Sequence, residues 1–205
     1  MDRVLLTKQN VIDLLAWRDE HREAVRSLPA PLRAVMIQFT ETDYRIKGLR
    51  EGDRLRLYLG TRYDRLGYAD LKIVGGVLVL ERNKMETDTE GFQSVLTVYC
   101  SLMALMVYGE RPICEPDTSK ADDSPYKPLK RAQKRGVVNI TYILQGKGNT
   151  LTAARKGSHA SPSKAFSVRG HYRHYKSGKV VWIAEYRKGE GKAKNKLYRV
   201  GEITQ

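Results

Sequence analysis

The chain begins with apolar residues at helical spacing. Val11, Leu14 and Val25 recur along one side of a predicted helix, while acidic and basic residues occupy the other side. Thr7 stands where a helix cap is expected, since its hydroxyl can accept a hydrogen bond from the first turn. Pro29 cannot continue a helix. The pattern predicts one N-terminal helix that ends at Pro29.

The pattern then changes to the period of two that is typical of strands. The segment 32–39 is rich in β-forming residues at its end, and 55–59 alternates strictly between apolar and polar positions. The segment 70–81 contains two strand-like runs on either side of Gly75 and Gly76, a pair that favours a tight hairpin turn. These segments predict an antiparallel sheet.

The segment 92–108 is apolar almost all the way round a helix and contains scattered polar residues. Its length falls short of the roughly 20 apolar residues that a membrane span needs. We therefore expect a buried helix that packs on the sheet. The predicted fold is α+β, with an antiparallel sheet packed on a central apolar helix and a basic C-terminal β-hairpin. No membrane contact is expected.

The composition divides the remaining chain. Residues 1–110 form the predicted α+β core, 111–135 is a proline-containing basic linker or loop, and 136–205 is a basic β segment that can pack on the core. A strand is expected at 137–144. The linker ends in a cluster of positive charges, which is formed by Lys127, Lys130, Arg131, Lys134 and Arg135.

The segment 168–187 is predicted to be a hairpin that turns at 176–179. With a two-residue loop at Ser177 and Gly178, Arg173 would oppose Trp182 and Arg169 would oppose Tyr186. One face would then carry Arg169, His171, Arg173, Tyr175, Trp182 and Tyr186. The face expected to pack on the core would carry Tyr172, His174, Val181 and Ile183. A three-residue loop would change these pairs.

Charge changes the picture of what this hairpin does. The net charge is +14, yet residues 1–119 carry 17 Lys and Arg against 18 Asp and Glu, while residues 120–205 carry 20 against 5. Such a field attracts polyanions, and arginines between aromatic rings suit RNA or single strands. An ordinary surface cation–π pair is the alternative. The candidate binding residues are Arg169, His171, Arg173, Tyr175, Lys176, Lys179, Trp182, Tyr186 and the 127–135 cluster.

The sequence contains no defensible catalytic or metal-binding constellation. His171 and His174 are three residues apart on a strand, so they point to opposite faces and cannot grip one ion. Cys100 and Cys114 give neither a disulfide framework nor a zinc spacing. No cofactor or metal is expected, and a binding role is favoured over an enzymatic one. A metal-free nuclease that uses a histidine remains an alternative.

The C-terminal segment resembles a known ending. Residues 169–183 read R-G-H-Y-R-H-Y-K-S-G-K-V-V-W-I and are similar to the end of many small proteins of phages, plasmids and integrated elements. One such group is a type V anti-CRISPR family that lowers production of its target during translation. The order of Leu28-Pro29, a β region and an apolar helix at 96–105 is also similar. The resemblance implies a mobile-element accessory protein that binds a nascent chain, a ribonucleoprotein or RNA.

Together these features predict a cytoplasmic protein of a bacterial host cell, since no secretory signal is visible at the N-terminus. The expected function is binding of RNA or a host ribonucleoprotein, including a CRISPR effector, by a phage or mobile-element accessory protein. The alternatives are an RNA- or DNA-binding regulator without an anti-defence role and the metal-free nuclease.

Overall fold

A computed structural model describes residues 1–109, 113–116, 140–144, 165–189 and 195–201. The helices in these ranges are α1 (Lys8–Glu20), α2 (Arg22–Arg26) and α3 (Thr89–Tyr108). The strands are β1 (Asp2–Leu6), β2 (Ala34–Phe39), β3 (Arg45–Glu51), β4 (Arg54–Gly60), β5 (Arg65–Val74), β6 (Val77–Asn83), β7 (Ile113–Pro116), β8 (Ile140–Leu144), β9 (Phe166–Val168), β10 (His171–His174), β11 (Val180–Ile183), β12 (Tyr186–Lys188) and β13 (Leu197–Val200).

Nine of these strands form one sheet in the order β6-β5-β4-β3-β2-β1-β13-β8-β7. Strands β2 to β6 pair antiparallel, as do β7 and β8. Strand β1 is parallel to both β2 and β13, and β13 is parallel to β8. The α+β class and a mostly antiparallel sheet are confirmed. The parallel pair of β1 and β2 arises because the α1–α2 crossover returns the chain to the same end of the sheet.

The first helix begins as predicted but ends earlier. The Thr7 hydroxyl accepts a hydrogen bond from the Asn10 N–H, and the Asn10 side chain accepts one from the Thr7 N–H, both at 3.0 Å. The expectation of one helix to Pro29 is wrong, because the chain leaves helical geometry at His21. The His21 ring stacks on Trp17 at 4.4 Å and donates to the Trp17 carbonyl. A separate helix, α2, follows.

The predicted strands are present at 34–39 and 54–60, and the 70–81 hairpin is confirmed. Gly75 and Gly76 have φ of 58° and 80°, the left-handed conformation that this tight turn needs at both positions. The expected strand at 137–144 is confirmed over Ile140–Leu144 as β8, and residues 137–139 lie outside the described residues. The structure therefore contains each β segment that alternation indicated in the N-terminal half.

Helix α3 is the main apolar element against the sheet. Asp88 caps it by accepting from the Gly91 N–H at 2.7 Å, and ten of its residues are buried. The Tyr99 ring lies directly on Gly48 of β3, where a β-carbon would come within 2.2 Å of it. Burial raises the pKa of Tyr99 and raises that of Cys100 to about 12. By length and composition alone, α3 is long and apolar enough to cross a membrane. No other helix in the described ranges meets this criterion.

Both halves of the chain contribute to the nine-stranded sheet. Strand β13 pairs with β1 on one side and with β8 on the other. Of the predicted linker at 111–135, only Ile113–Pro116 is described, and it forms β7. The basic cluster at 127–135 lies outside the described residues. The division at 110 and 135 therefore stays a prediction.

Candidate nucleic-acid interface

The C-terminal hairpin turns through three residues rather than two. The Gly178 N–H donates to the Tyr175 carbonyl at 3.0 Å, and the Tyr175 N–H donates to the Lys179 carbonyl at 2.9 Å. Gly178 has φ of 80°. A turn followed by one left-handed glycine is a common three-residue hairpin loop. The three-residue alternative is therefore the one present, because Gly178 belongs to the loop as its left-handed residue and shifts the pairing by one relative to a two-residue loop.

This shift changes which side chains are neighbours. Tyr172 opposes Trp182 and Arg173 opposes Val181, so the predicted pair of Arg173 with Trp182 is wrong. In the adjoining ladder of β9 and β12, Tyr186 opposes Val168 rather than Arg169. Opposed residues share a face of a strand pair. Arg173 and Trp182 therefore lie on opposite faces of the hairpin.

One face combines positive charge with an aromatic ring, and we call it the hairpin surface. It consists of His171, Arg173 and Tyr175, together with Lys176 and Lys179 at the turn. The Arg173 guanidinium lies 5.0 Å from the Tyr175 ring centroid, and both side chains are exposed. The structure thus brings together five of the predicted residues.

The other face is an aromatic contact with the end of α3. The Tyr172 and Trp182 rings meet edge to face at 4.8 Å, and the Tyr172 ring lies 6.0 Å from Tyr108. A hydrogen bond with Tyr108 raises the pKa of Tyr172. The Trp182 ring also lies against Gly170, where a β-carbon would meet it at 2.6 Å. Trp182 is therefore half-buried in a packing contact, and it is not part of the hairpin surface.

The expected inward face is also corrected. Tyr172 and His174 are exposed, whereas Val181 and Ile183 are half-buried on the same face as Arg173. The one-residue shift in register moves Val181 and Ile183 to the face of Arg173 and His171. The apolar side chains of this hairpin are therefore distributed over both of its faces.

A cleft of about 780 Å³ lies between the hairpin, the end of α3 and β13, and we call it the basic cleft. Arg169 and Lys196 contribute positive charge to it, and His171 and His174 line it too. The Nδ1 atom of His171 donates to the Arg169 carbonyl at 3.0 Å, which leaves Nε2 as the acceptor nitrogen of a neutral ring. Its remaining lining residues are Val107, Tyr108, Gly109, Val168, Tyr172, Val180 and Tyr198.

Three hydrogen bonds tie this region to the N-terminal half. The Gly170 N–H donates to the Pro31 carbonyl at 2.7 Å, and the Arg33 N–H donates to the Glu185 carboxylate at 2.6 Å. The Ser167 hydroxyl donates to the Asp2 carboxylate at 3.3 Å. These contacts fix where the hairpin surface and the basic cleft lie relative to the sheet.

Of the remaining predicted residues, Tyr186 is exposed on β12, and Arg169 is half-buried before β10. The cluster of Lys127, Lys130, Arg131, Lys134 and Arg135 lies outside the described residues. In the part of the chain that the structure describes, no three His, Cys, Asp or Glu side chains could hold a metal ion together.

A second surface, which was not predicted from the sequence, lies on the N-terminal sheet. The buried apolar residues of β1 to β5 and β13 project to the face where α1 and α3 pack. No described helix lies on the opposite face, which we call the sheet face and which also carries the half-buried Leu5, Met36 and Leu49. The alternation of Arg54, Arg56 and Tyr58 with leucines was the signal. Cations on the sheet face are Arg3, Arg45, Lys47, Arg54, Arg56, Arg65, Lys72, Arg82 and Arg199.

The chain was compared with protein-family models, curated proteins and solved structures, and none of them matches it. The resemblance of residues 169–183 to mobile-element proteins therefore stays a prediction.

Proposed function

We propose that the protein binds single-stranded RNA through the hairpin surface and the basic cleft. The observation that carries this proposal is the exposed pair of Arg173 and Tyr175 beside a cleft to which Arg169 and Lys196 contribute. Guanidinium and ammonium groups neutralise phosphates, and an exposed ring stacks on an unpaired base. The hairpin thus offers both kinds of contact within one small area.

The charge distribution supports the same ligand. Residues 120–205 carry 20 Lys and Arg against 5 Asp and Glu, and the hairpin surface itself contains no carboxylate. A polyanion neutralises the positive charge of such a segment and so relieves its self-repulsion. Binding also releases the counterions that were condensed on the polyanion. A single strand suits the site better than a duplex, because bases within a duplex are stacked on one another and cannot stack on Tyr175.

The narrower role that we propose is that of a phage or mobile-element accessory protein in the cytoplasm of a bacterial host. The similarity of residues 169–183 to such proteins supports this role, and an anti-CRISPR activity directed at a ribonucleoprotein is its specific form. Rescue of phage plaquing in a CRISPR-immune host would test it. Failure to rescue against a panel of effector types would leave an RNA-binding regulator.

The binding test compares two variants that remove the same amount of charge. In the hairpin variant, Arg173→Gln and Lys179→Gln are combined with Tyr175→Leu. In the control, Lys8→Gln and Arg22→Gln remove two exposed charges from helices α1 and α2. Fluorescence anisotropy with a labelled oligouridine measures the affinity over a series of salt concentrations.

We expect the hairpin variant to lose most of its affinity for the oligouridine. The slope of log K against log salt concentration should become about 1.4 less steep, which corresponds to the loss of two phosphate contacts. The control should change neither by a comparable amount. Equal losses in both variants would indicate a diffuse charge effect, and salt-independent binding would contradict the proposal.

The nuclease alternative is tested in the same material. It requires that pure protein cleaves RNA or DNA and that His171→Ala or His174→Ala abolishes the cleavage. Intact substrate after long incubation would eliminate it.

A further inference from the structure

We infer that the sheet face is a second binding surface, which takes single-stranded nucleic acid on a platform formed by Tyr58 and Tyr68. This inference shares its ligand class with the proposed function but requires none of the hairpin residues.

The register brings the two rings together. Tyr58 of β4 directly opposes Tyr68 of β5, and their ring centroids lie 6.1 Å apart. Both residues lie on the face opposite Leu55, Leu57 and Ala69, which are buried in the core. The backbone under the rings is therefore held by paired strands on both sides and by a packed core below.

Cations surround this tyrosine pair. The Lys47 ammonium lies 5.2 Å and the Arg65 guanidinium 5.9 Å from the Tyr58 ring centroid. The Arg56 guanidinium lies 5.2 Å from the Tyr68 centroid, and Arg82 donates to the Tyr68 hydroxyl at 3.5 Å. Each ring thus has positive charge within reach of a phosphate that would follow a stacked base.

Carboxylates are scarce on the strands of the sheet face. Asp70 lies between Arg56 and Arg82 in the register and forms a two-point ion pair with Arg56. Glu51 is at the end of β3, where it opposes Arg54. Asp53, in the turn between β3 and β4, also pairs with Lys72 at 4.0 Å. The nine cations of this face still outnumber these three carboxylates, which leaves a positive field.

Charge and shape together identify the occupant. The outward, half-buried rings of Tyr58 and Tyr68 give a stacking site that every base can use, and the surrounding cations give sequence-independent phosphate contacts. A duplex would meet the cations but would leave the rings without unpaired bases. We therefore infer that the occupant is a single strand. The competing explanation is that the outward tyrosines serve only as cross-strand packing, and a result in its favour would overturn the inference.

The experiment separates the rings from the charges. Tyr58→Leu with Tyr68→Leu removes both aromatic rings and keeps every cation. Tyr58→Phe with Tyr68→Phe keeps the rings and removes only the hydroxyls. Tyr44→Leu is the control, since Tyr44 is an exposed tyrosine that lies in the loop between β2 and β3. The probe is a labelled oligouridine of about 20 nucleotides, longer than one such platform needs, and thermal unfolding confirms that each variant folds.

With full-length protein, we expect the leucine pair to raise the Kd at least about tenfold, because each stacked base contributes strongly to single-strand affinity. The salt slope should stay unchanged, since no charge is removed. The phenylalanine pair and the Tyr44 control should bind as the wild type does. Photochemical crosslinking to the oligouridine should label the peptides that contain Tyr58 and Tyr68.

Three outcomes would overturn the inference: wild-type affinity in the folded leucine pair, equal losses in the leucine and phenylalanine pairs, or crosslinks confined to the hairpin. The hairpin variant in the same assay keeps the two proposals apart. If that variant retains its affinity while the leucine pair loses it, the hairpin proposal fails and the sheet face stands.

Discussion

The sheet face and the hairpin surface place the same kinds of side chain on very different supports. On the sheet face, Tyr58 and Tyr68 lie on inner strands of a nine-stranded sheet whose other face is packed with helices. On the hairpin surface, Arg173 and Tyr175 belong to two four-residue strands that pair only with each other. The first support is rigid because it shares the core of the protein.

A hairpin of this size is only marginally stable in water by itself. Its position therefore depends on the contacts of Gly170, Glu185 and Tyr172 with the N-terminal half. A rigid platform can orient bases, while an arm held by a few contacts can adapt to its ligand. The difference indicates that changes in the sheet should affect global stability, whereas changes in the hairpin should affect local opening.

The largest effect is expected at the contact between β3 and α3. Gly48→Ala would place a β-carbon 2.2 Å from the Tyr99 ring, which is 3% exposed and cannot move freely. Overpacking of this kind costs about 1–3 kcal/mol of unfolding free energy. Urea unfolding followed by circular dichroism measures the loss.

Tyr99→Leu in the same background provides the test of cause. If the clash is responsible, Gly48→Ala should cost less in the presence of Tyr99→Leu than in its absence. Additive costs in this double-mutant cycle would contradict the interpretation.

A smaller and local effect is expected at the hairpin turn. Gly178 has φ of 80° with open space around its α-carbon, so Gly178→Ala meets no neighbour and pays only for the left-handed backbone. That cost is about 1 kcal/mol. We expect faster hydrogen exchange at the amides of β10 and β11, with exchange in β3 to β5 unchanged.

Gly178→Asn is the matched variant, since asparagine tolerates the left-handed region better than alanine does. It should restore most of the protection in β10 and β11. Equal losses for alanine and asparagine would show that backbone conformation is not the cause.

How far the sequence predicts this molecule depends on the range of the interactions involved. Thr7, the Gly75-Gly76 turn and the apolar stretch of α3 act on their own neighbours, and each was predicted from the sequence. The end of α1 at His21 was missed although it is local, since His21 stacks on and bonds to Trp17 only four residues earlier. The parallel pairing of β1 with β13 was missed because it joins Arg3 to Leu197, which are far apart in the sequence.

The candidate site shows the same limit more sharply. The hairpin and its residues were predicted, but one residue in the loop changed every cross-strand pair and separated Trp182 from Arg173. Such sensitivity is inherent in strands, whose side chains alternate with a period of two. The sheet face was missed because residues 1–119 are nearly neutral in total, and only the register shows that their cations share a face.

A smaller change is expected at the contact between the hairpin and the strand β2 region. Glu185→Gln keeps an acceptor for the Arg33 N–H but removes the charge that strengthens the 2.6 Å bond. Because this bond is exposed, we expect a loss of about 0.5 kcal/mol in hairpin docking. Hydrogen exchange at the Arg33 amide and in β10 and β11 should rise slightly.

Glu20→Gln on α1 is the control, since it removes an exposed carboxylate far from Arg33 in the sequence. It should leave exchange in the hairpin unchanged. Hydrogen exchange in β3 to β5 that accelerated as much as in β10 and β11 would contradict the idea that the hairpin opens as a separate unit.

The smallest expected effect is the response of the hairpin to alkaline pH. The hydrogen bond with Tyr108 raises the pKa of Tyr172 when the hairpin is docked. An undocked Tyr172 ionises near its ordinary pKa of about 10, while the docked residue is still protonated. The contribution of this hydrogen bond to hairpin docking is therefore complete below about pH 10. It is lost as the pH rises through the pKa that Tyr172 has in the docked hairpin.

The fluorescence of Trp182, whose ring lies 4.8 Å from that of Tyr172, reports this change in a Trp17→Phe background. We expect a reversible alkaline transition in the intensity that precedes global unfolding by circular dichroism. Tyr108→Phe removes the hydroxyl that holds Tyr172, so it should move the midpoint toward the ordinary tyrosine pKa. An unchanged midpoint in Tyr108→Phe would show that Tyr172 does not couple the hairpin to α3, and the sheet and hairpin would then be joined by their backbone contacts alone.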